Sequence, residues 1–228
     1  MPDAFMHKLK VYRLGIEPSD ILSYMAPGDI ADKDYFEGIA QTELNRVSNE
    51  TVQYGYVVAS AGLDERLLKI NNTIFDVGTD VSLMLQSVEK TVVFVCTVGK
   101  KLNELIEKID FRKNYLEAYI LDIIGTVVIG KTLEMLHDEI KDRYSPLYKV
   151  TNTISPGNCG WPVEEQEKLL SILPEGFLDI RLNPSGMMYP AKTISGLIGI
   201  GSKVKFKQTE CRHCRSRNCP YRKEEYVA

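Results

Sequence analysis

Apolar positions along this chain switch between a two-residue and a roughly four-residue spacing, and the switches divide it into strands and helices. Residues 8–14 alternate well enough for an edge strand. Ser19 or Asp20 can cap a short helix ending near Pro27, and 34–47 carries Tyr35, Ile39 and Leu44 at helical spacing. A strand is predicted over 54–60. Asp80 can cap a helix that carries Val81, Leu83, Met84 and Val88. Residues 91–98 are almost wholly apolar, which predicts a strand buried on both faces, and Gly99 ends it before a helix over 100–109. The longest element is a proline-free helix over 112–143, with Leu116, Tyr119, Ile120, Ile123, Val127, Leu133 and Leu136 mostly on one face. Gly125 and Gly130 inside it each weaken it by about 1 kcal/mol relative to alanine, and such glycines mark a close neighbour or a kink. A strand ending at Ile154, a helix over 162–173, a strand over 177–182 and a glycine-bearing strand over 193–200 complete the pattern. Strands and helices mix without a regular βαβ rhythm, so the predicted class is α+β.

Between the last two long segments the periodicity breaks at Ser155-Pro-Gly-Asn-Cys-Gly-Trp-Pro162. Two prolines, two glycines and the only tryptophan of the chain crowd into these eight residues. Pro156 and Pro162 fix their own backbone angles, while Gly157 and Gly160 permit angles closed to other residues. Such a loop can bring main-chain N–H groups to a ligand, or it can simply connect a strand to a helix. Pro162 suits a first helical turn, with Glu164 and Glu165 near its positive end.

At 228 residues, 44% hydrophobic and 26% charged, the chain is long enough for a substantial core, and neither disorder nor a coiled coil is indicated. No uncharged apolar run approaches the ~20 residues that cross a bilayer, and the charged N-terminus lacks a signal-peptide core. A cytoplasmic protein without a membrane role is expected. The net charge of −3 is unevenly placed. Residues 203–223 hold eight Lys/Arg and one Glu, a net +7 that leaves −10 for the rest. The expected division is a single domain over 1–202 and a basic, cysteine-containing tail over 203–228.

Three of the five cysteines fall in that tail, as Cys211-x2-Cys214-x4-Cys219. An odd count concentrated at one end does not suit a secreted disulfide framework. Arg212, Arg215 and Arg217 beside them would lower the thiol pKa values and favour the thiolate that binds metal. Zinc needs a fourth ligand (His213, Cys159 or a partner residue), and an iron–sulfur cluster needs one as well. Metal or cluster binding, a redox thiol role and a plain basic tail all remain open. Cys96, in a buried strand, is a poor ligand candidate. No P-loop, His-Glu-x-x-His or Gly-x-Ser-x-Gly occurs, and Gly196-x-x-Gly199-x-Gly201 lacks the spacing of a dinucleotide site. His7 and His137 read as surface residues. Nucleic acid is not expected as a partner of the whole chain.

Four stretches together resemble the stand-alone form of the activation domain of cobalamin-dependent methionine synthase. They are Ser155-Pro-Gly157 with Trp161-Pro162 and Glu164-Glu165-Gln166; Leu182-x2-Ser185-x2-Met188-x-Pro190-x-Lys192-Thr193-x-Ser195-Gly196; Thr97-x-Gly99 before an amphipathic helix; and the cysteine stretch running on to Tyr221-Arg222. The resemblance implies an α+β, C-shaped fold with a twisted antiparallel sheet and helical arms. It implies binding of S-adenosylmethionine and, with an electron donor such as flavodoxin or ferredoxin, remethylation of cob(II)alamin. The cobalamin would be carried by a partner, a corrinoid-binding protein or methionine synthase subunit. The cofactor cleft would be lined by Thr153, Ser155, Pro156, Gly157, Asn158, Cys159 and Gly160, and by Ser185, Met188, Tyr189 and Lys192. The family's loop reads Arg-x-x-x-Gly-Tyr. With its glycine on Gly157, Thr153 takes the place of the arginine and Asn158 that of the tyrosine. Threonine cannot make the paired, charge-assisted contact to a carboxylate that arginine makes. A docking module for corrinoid proteins that has lost the methyl donor is the alternative implied.

Overall fold

The computed structural model describes residues 4–25, 32–109 and 112–206. The tail cysteines Cys211, Cys214 and Cys219 lie outside them. Strands β1 (Ala4–Lys10), β2 (Thr51–Asp64), β3 (Leu67–Ile70), β4 (Thr73–Asp76), β5 (Lys90–Thr97), β6 (Lys149–Ile154) and β9 (Thr193–Gly201) form a seven-stranded sheet. Its order is β4-β3-β2-β5-β9-β6, with β1 also on β2, and every pairing is antiparallel. The fourteen-residue β2 holds β1 along residues 51–57 and β3 along 61–64 of one edge, and β5 along the other. A two-stranded ribbon, β7 (Arg181–Leu182) with β8 (Met188–Tyr189), stands apart. The helices are α1 (Pro18–Met25), α2 (Lys33–Val47), α3 (Gly78–Met84), α4 (Gly99–Lys108), α5 (Tyr115–Tyr144) and α6 (Glu165–Leu170). This is the α+β class that the pattern predicts, with the antiparallel sheet that the resemblance implies, and none of the described helices is long and apolar enough to cross a membrane.

Alternation along the central strands sends their side chains to two cores. Tyr54, Tyr56, Val92, Phe94, Cys96, Ile198 and Ile200 meet Leu136 and Ile140 of α5. On the opposite face Val57, Ala59, Val93, Val95 and Leu197 meet Val81, Leu85, Trp161, Leu169 and Phe177. A third cluster joins α1, α2, α4 and the first half of α5 through Ile21, Leu44, Leu102, Ile120 and Ile124. The long helix runs unbroken through both glycines. At Gly125 the close neighbour is the Lys192 side chain, whose Cγ would lie 3.1 Å from an added Cβ. At Gly130 the nearest atom, the Tyr24 hydroxyl, is 3.9 Å away.

Several boundaries differ from the pattern. The first strand ends at Lys10, because residues 11–14 turn as a 3-10 helix tied to Ser48 and Glu50 carbonyls. Helix α3 starts at Gly78, whose N–H is taken by Asp76, so Asp80 sits in the first turn and does not cap it. Helix α6 is only six residues long, and 177–179 form a 3-10 turn before β7. The β3–β4 hairpin, turning at Asn71 with φ 50°, has strands too short to register as a period.

A carboxylate fastens the central strand β2 to the long helix. Glu139 on α5 accepts hydrogen bonds from the Tyr54 hydroxyl (2.9 Å) and the Tyr56 hydroxyl (2.7 Å). His7 on β1 stacks on Tyr54 at 4.7 Å and lies 3.6 Å from the same carboxylate. Burial first, and then the Glu139 hydrogen bonds, hold both phenols well above their ordinary pKa, so they remain donors. Replacing Glu139 with leucine strands both donors, and a loss of about 2 kcal/mol is expected in the urea-unfolding free energy. An unchanged midpoint would show that water serves the phenols equally well.

Candidate functional site

The Ser155–Pro162 loop leaves β6 at the outer edge of the sheet. It closes on itself: Gly157 N–H donates to the Trp161 carbonyl (2.8 Å), Asn158 N–H to that of Ser155 (3.1 Å), and Trp161 N–H to that of Asn158 (2.9 Å). Gly157 (φ 91°), Cys159 (φ 51°) and Gly160 (φ 79°) all lie in the left-handed region, which is why glycine is needed at two of the three. Trp161 turns inward, 1% exposed, and meets Phe75 edge-on at 5.9 Å. Ser155 and Pro156 are buried, Cys159 packs partly against the core, and Gly157, Asn158 and Gly160 face solvent. Thr153 is half-buried on β6, level with Ile198 and therefore turned to the α5 face of the sheet.

The second predicted segment is anchored elsewhere. The Asn183 side chain accepts from the N–H groups of Ser185 and Met187, both at 2.9 Å, which shapes the turn of the β7–β8 ribbon. Ser185 is exposed, Met188 half-buried and Tyr189 exposed. Buried Asn103 of α4 holds Ala191 N–H at 2.8 Å, and the Lys192 carbonyl accepts from Val98 N–H at 3.1 Å. The Lys192 ammonium donates to Asp122 and to the Thr126 hydroxyl of α5, both at 2.9 Å. Its charge is thus already engaged. The first segment is fixed to the α3 and α6 side, the second to α4 and α5.

Two cavities flank β6. One, of about 420 Å³, lies against α5 and is lined by His137, Lys141, Pro146, Val150 and Phe206 among others. There His137 Nε2 is 2.9 Å from the Thr151 carbonyl, so this histidine is a structural contact. The other, of about 340 Å³, lies toward the α3–β5 connection and is lined by Gln86, Ser87, Thr151, Asn152, Lys203 and Lys205 with Leu83 and Met84. None of these eight residues was singled out as a site residue by sequence reasoning. The only sequence signal for them is the Lys203-Val204-Lys205 alternation after the last strand.

A β-bulge at Thr151–Asn152 separates the two cavities, since the register with β9 shifts between Val150 and Thr153. The side chains and amides gathered here suit binding and orientation. Among the described residues no group of three or more His, Cys, Asp or Glu could hold a metal ion. Cys96 is fully buried, and burial alone pushes its thiol far above the ordinary value, which disfavours the thiolate a metal requires.

No protein-family model matches the chain, and no curated protein matches it. Its structure is similar to the crystal structure of the MetH reactivation domain bound to AdoHcy, with a TM-score of 0.69 over 90% of this chain and 81% of that one. The two are 12% identical in sequence. The chain has the fold of that reactivation domain.

Proposed function

We propose that this protein is an accessory component of cobalamin-dependent methyl transfer of the methionine synthase type. It docks on a corrinoid-carrying partner and supports reductive remethylation of cob(II)alamin with S-adenosylmethionine. The observation that carries the reading is the fold, which over nine-tenths of the chain is that of a domain crystallised with AdoHcy. AdoHcy is what remains of S-adenosylmethionine once its methyl group is gone. The methyl transfer requires that donor together with one electron, for which a flavodoxin or a ferredoxin is the class of supplier. This chain's own contribution is to bind and orient: main-chain groups of the exposed turn at Gly157–Gly160, and side chains along β6, face the ligand.

A second reading is favoured by Thr153 and Asn158, which stand where the family has an arginine and a tyrosine. In it the chain docks on the corrinoid protein without binding the methyl donor, and Cys211, Cys214 and Cys219 hold a structural zinc or an iron–sulfur cluster. Isothermal titration with S-adenosylmethionine separates the readings. Binding near micromolar is expected, and no heat at millimolar ligand would overturn the first reading in favour of the second.

A further inference from the structure

We infer that Lys203 and Lys205 hold the phosphoryl group of a small phosphate ester, in the cavity of about 340 Å³ between the β6 bulge and the α3–β5 connection. This is a site of its own, on the face of the sheet away from Thr153, and it stands whether or not the chain binds a methyl donor. Among the described residues that line it there are two ammonium groups and no carboxylate. Neither lysine is ion-paired among the described residues, whereas Lys100, Lys108, Lys131, Lys168 and Lys192 each have an acid within reach. Two uncommitted like charges on one cavity repel each other, and an anion between them removes that cost. A phosphate monoester brings about −1.5 to −2 charges near pH 7 and three acceptor oxygens, enough to face both ammonium groups at once. A ligand carrying its own ammonium would be repelled.

The segment bearing these lysines is built into place. An added Cβ at Gly201 would collide with the Ser87 carbonyl, so the chain presses there on the opposite wall of the cavity. Ser202 is held by Glu89, which accepts from its N–H and its hydroxyl at 2.9 Å each and does not itself line the cavity. Val204, 1% exposed, is sunk in the core between the two lysines. A pinned residue thus precedes Lys203 and a buried one separates it from Lys205, which fixes where both side chains leave the backbone. The bulge on the far side is fixed too: the Thr151 hydroxyl donates to the Asn152 carbonyl (2.8 Å) and accepts from Gly199 N–H (2.9 Å). Gln86, Ser87 and Asn152 add amide and hydroxyl groups that can serve the remaining phosphoryl oxygens. A phosphoryl group alone leaves much of the volume unfilled, and Leu83 and Met84 offer an apolar wall to an organic part. The volume lies at the small end of the range for small-molecule sites, so that part is small.

The test titrates the full chain with phenyl phosphate and with orthophosphate, and follows the Ser87 and Asn152 amides in a nitrogen–proton correlation spectrum. The proteins compared are the wild type, K203Q/K205Q, K203R/K205R and K100Q/K101Q, which removes the same charge at another place. Phenyl phosphate is expected to shift both amides in the wild type and to bind K203Q/K205Q about 10- to 100-fold more weakly, for the loss of two charge-assisted contacts. The K203R/K205R and K100Q/K101Q variants should stay near the wild type, and orthophosphate should bind it more weakly than the ester. No shift at Ser87 and Asn152 at millimolar phenyl phosphate overturns the assignment, and so does equal binding by the wild type and K203Q/K205Q. An equal loss in K100Q/K101Q also overturns it, because the effect would then come from net charge. Orthophosphate binding as tightly as phenyl phosphate overturns the ester in favour of the free anion.

Discussion

Replacing Trp161 with alanine is expected to lower the unfolding free energy by about 3–5 kcal/mol, within the usual range for deleting a buried aromatic side chain. The indole is 1% exposed and lies edge-on to Phe75, in the same cluster as Leu169 and Phe177. Its N–H has no partner among the described residues, so the loss is one of packing and leaves no acceptor stranded. Against a typical total of about 5–15 kcal/mol, such a loss removes much of the margin. Because the chain has a single tryptophan, the variant must be followed by circular dichroism, while the wild type can also be followed by fluorescence. Trp161→Phe should cost less, since an aromatic ring can still meet Phe75. If the alanine variant unfolds at the wild-type urea concentration, the loop is not anchored by this side chain.

The Gly196→Val variant should lose about 3 kcal/mol or fail to fold. A Cβ at Gly196 would stand 2.5 Å from the Ile154 carbonyl oxygen, 2.8 Å from the Ser155 hydroxyl and 3.0 Å from Phe94. Backbone cannot step aside as a flexible side chain can, so β6 must separate from β9 at the point where the loop begins. Thermal unfolding measures the stability cost. If the proposed function holds, titration with S-adenosylmethionine on whatever folds should show binding that falls along with stability. Wild-type stability in this variant would mean that β6 is not seated on β9 as described.

The parts of the fold that the sequence revealed are those whose cause is local. The apolar run of β5, the glycine-bearing β9 and the amphipathic α5 each carry their own period, and all three appear within a few residues of their predicted bounds. The β3–β4 hairpin escaped notice because four-residue strands hold too few alternations to stand out. At the candidate site, Pro156, Gly157 and Gly160 announced an irregular loop, and an irregular loop is present. Trp161, by contrast, gave no sign that it would turn inward and be spent on the core. Lys192 looked like a ligand contact, but Asp122 lies 70 residues away in the chain and only the packing of β9 beside α5 brings the two together. The cavity holding Lys203 and Lys205 was illegible for the same reason. Its walls come from three separate stretches of sequence, around 83–87, 151–152 and 203–205.

Helix α5 has a consequence for how the molecule responds to load. At about 1.5 Å per residue its thirty residues span roughly 45 Å. Its first half is packed with α1, α2 and α4, and its second half against the sheet. One continuous helix therefore serves both clusters, and Gly125, its eleventh residue, is where the Lys192 side chain crosses it. A load applied to the helical end would be carried by the same continuous helix that packs against the sheet.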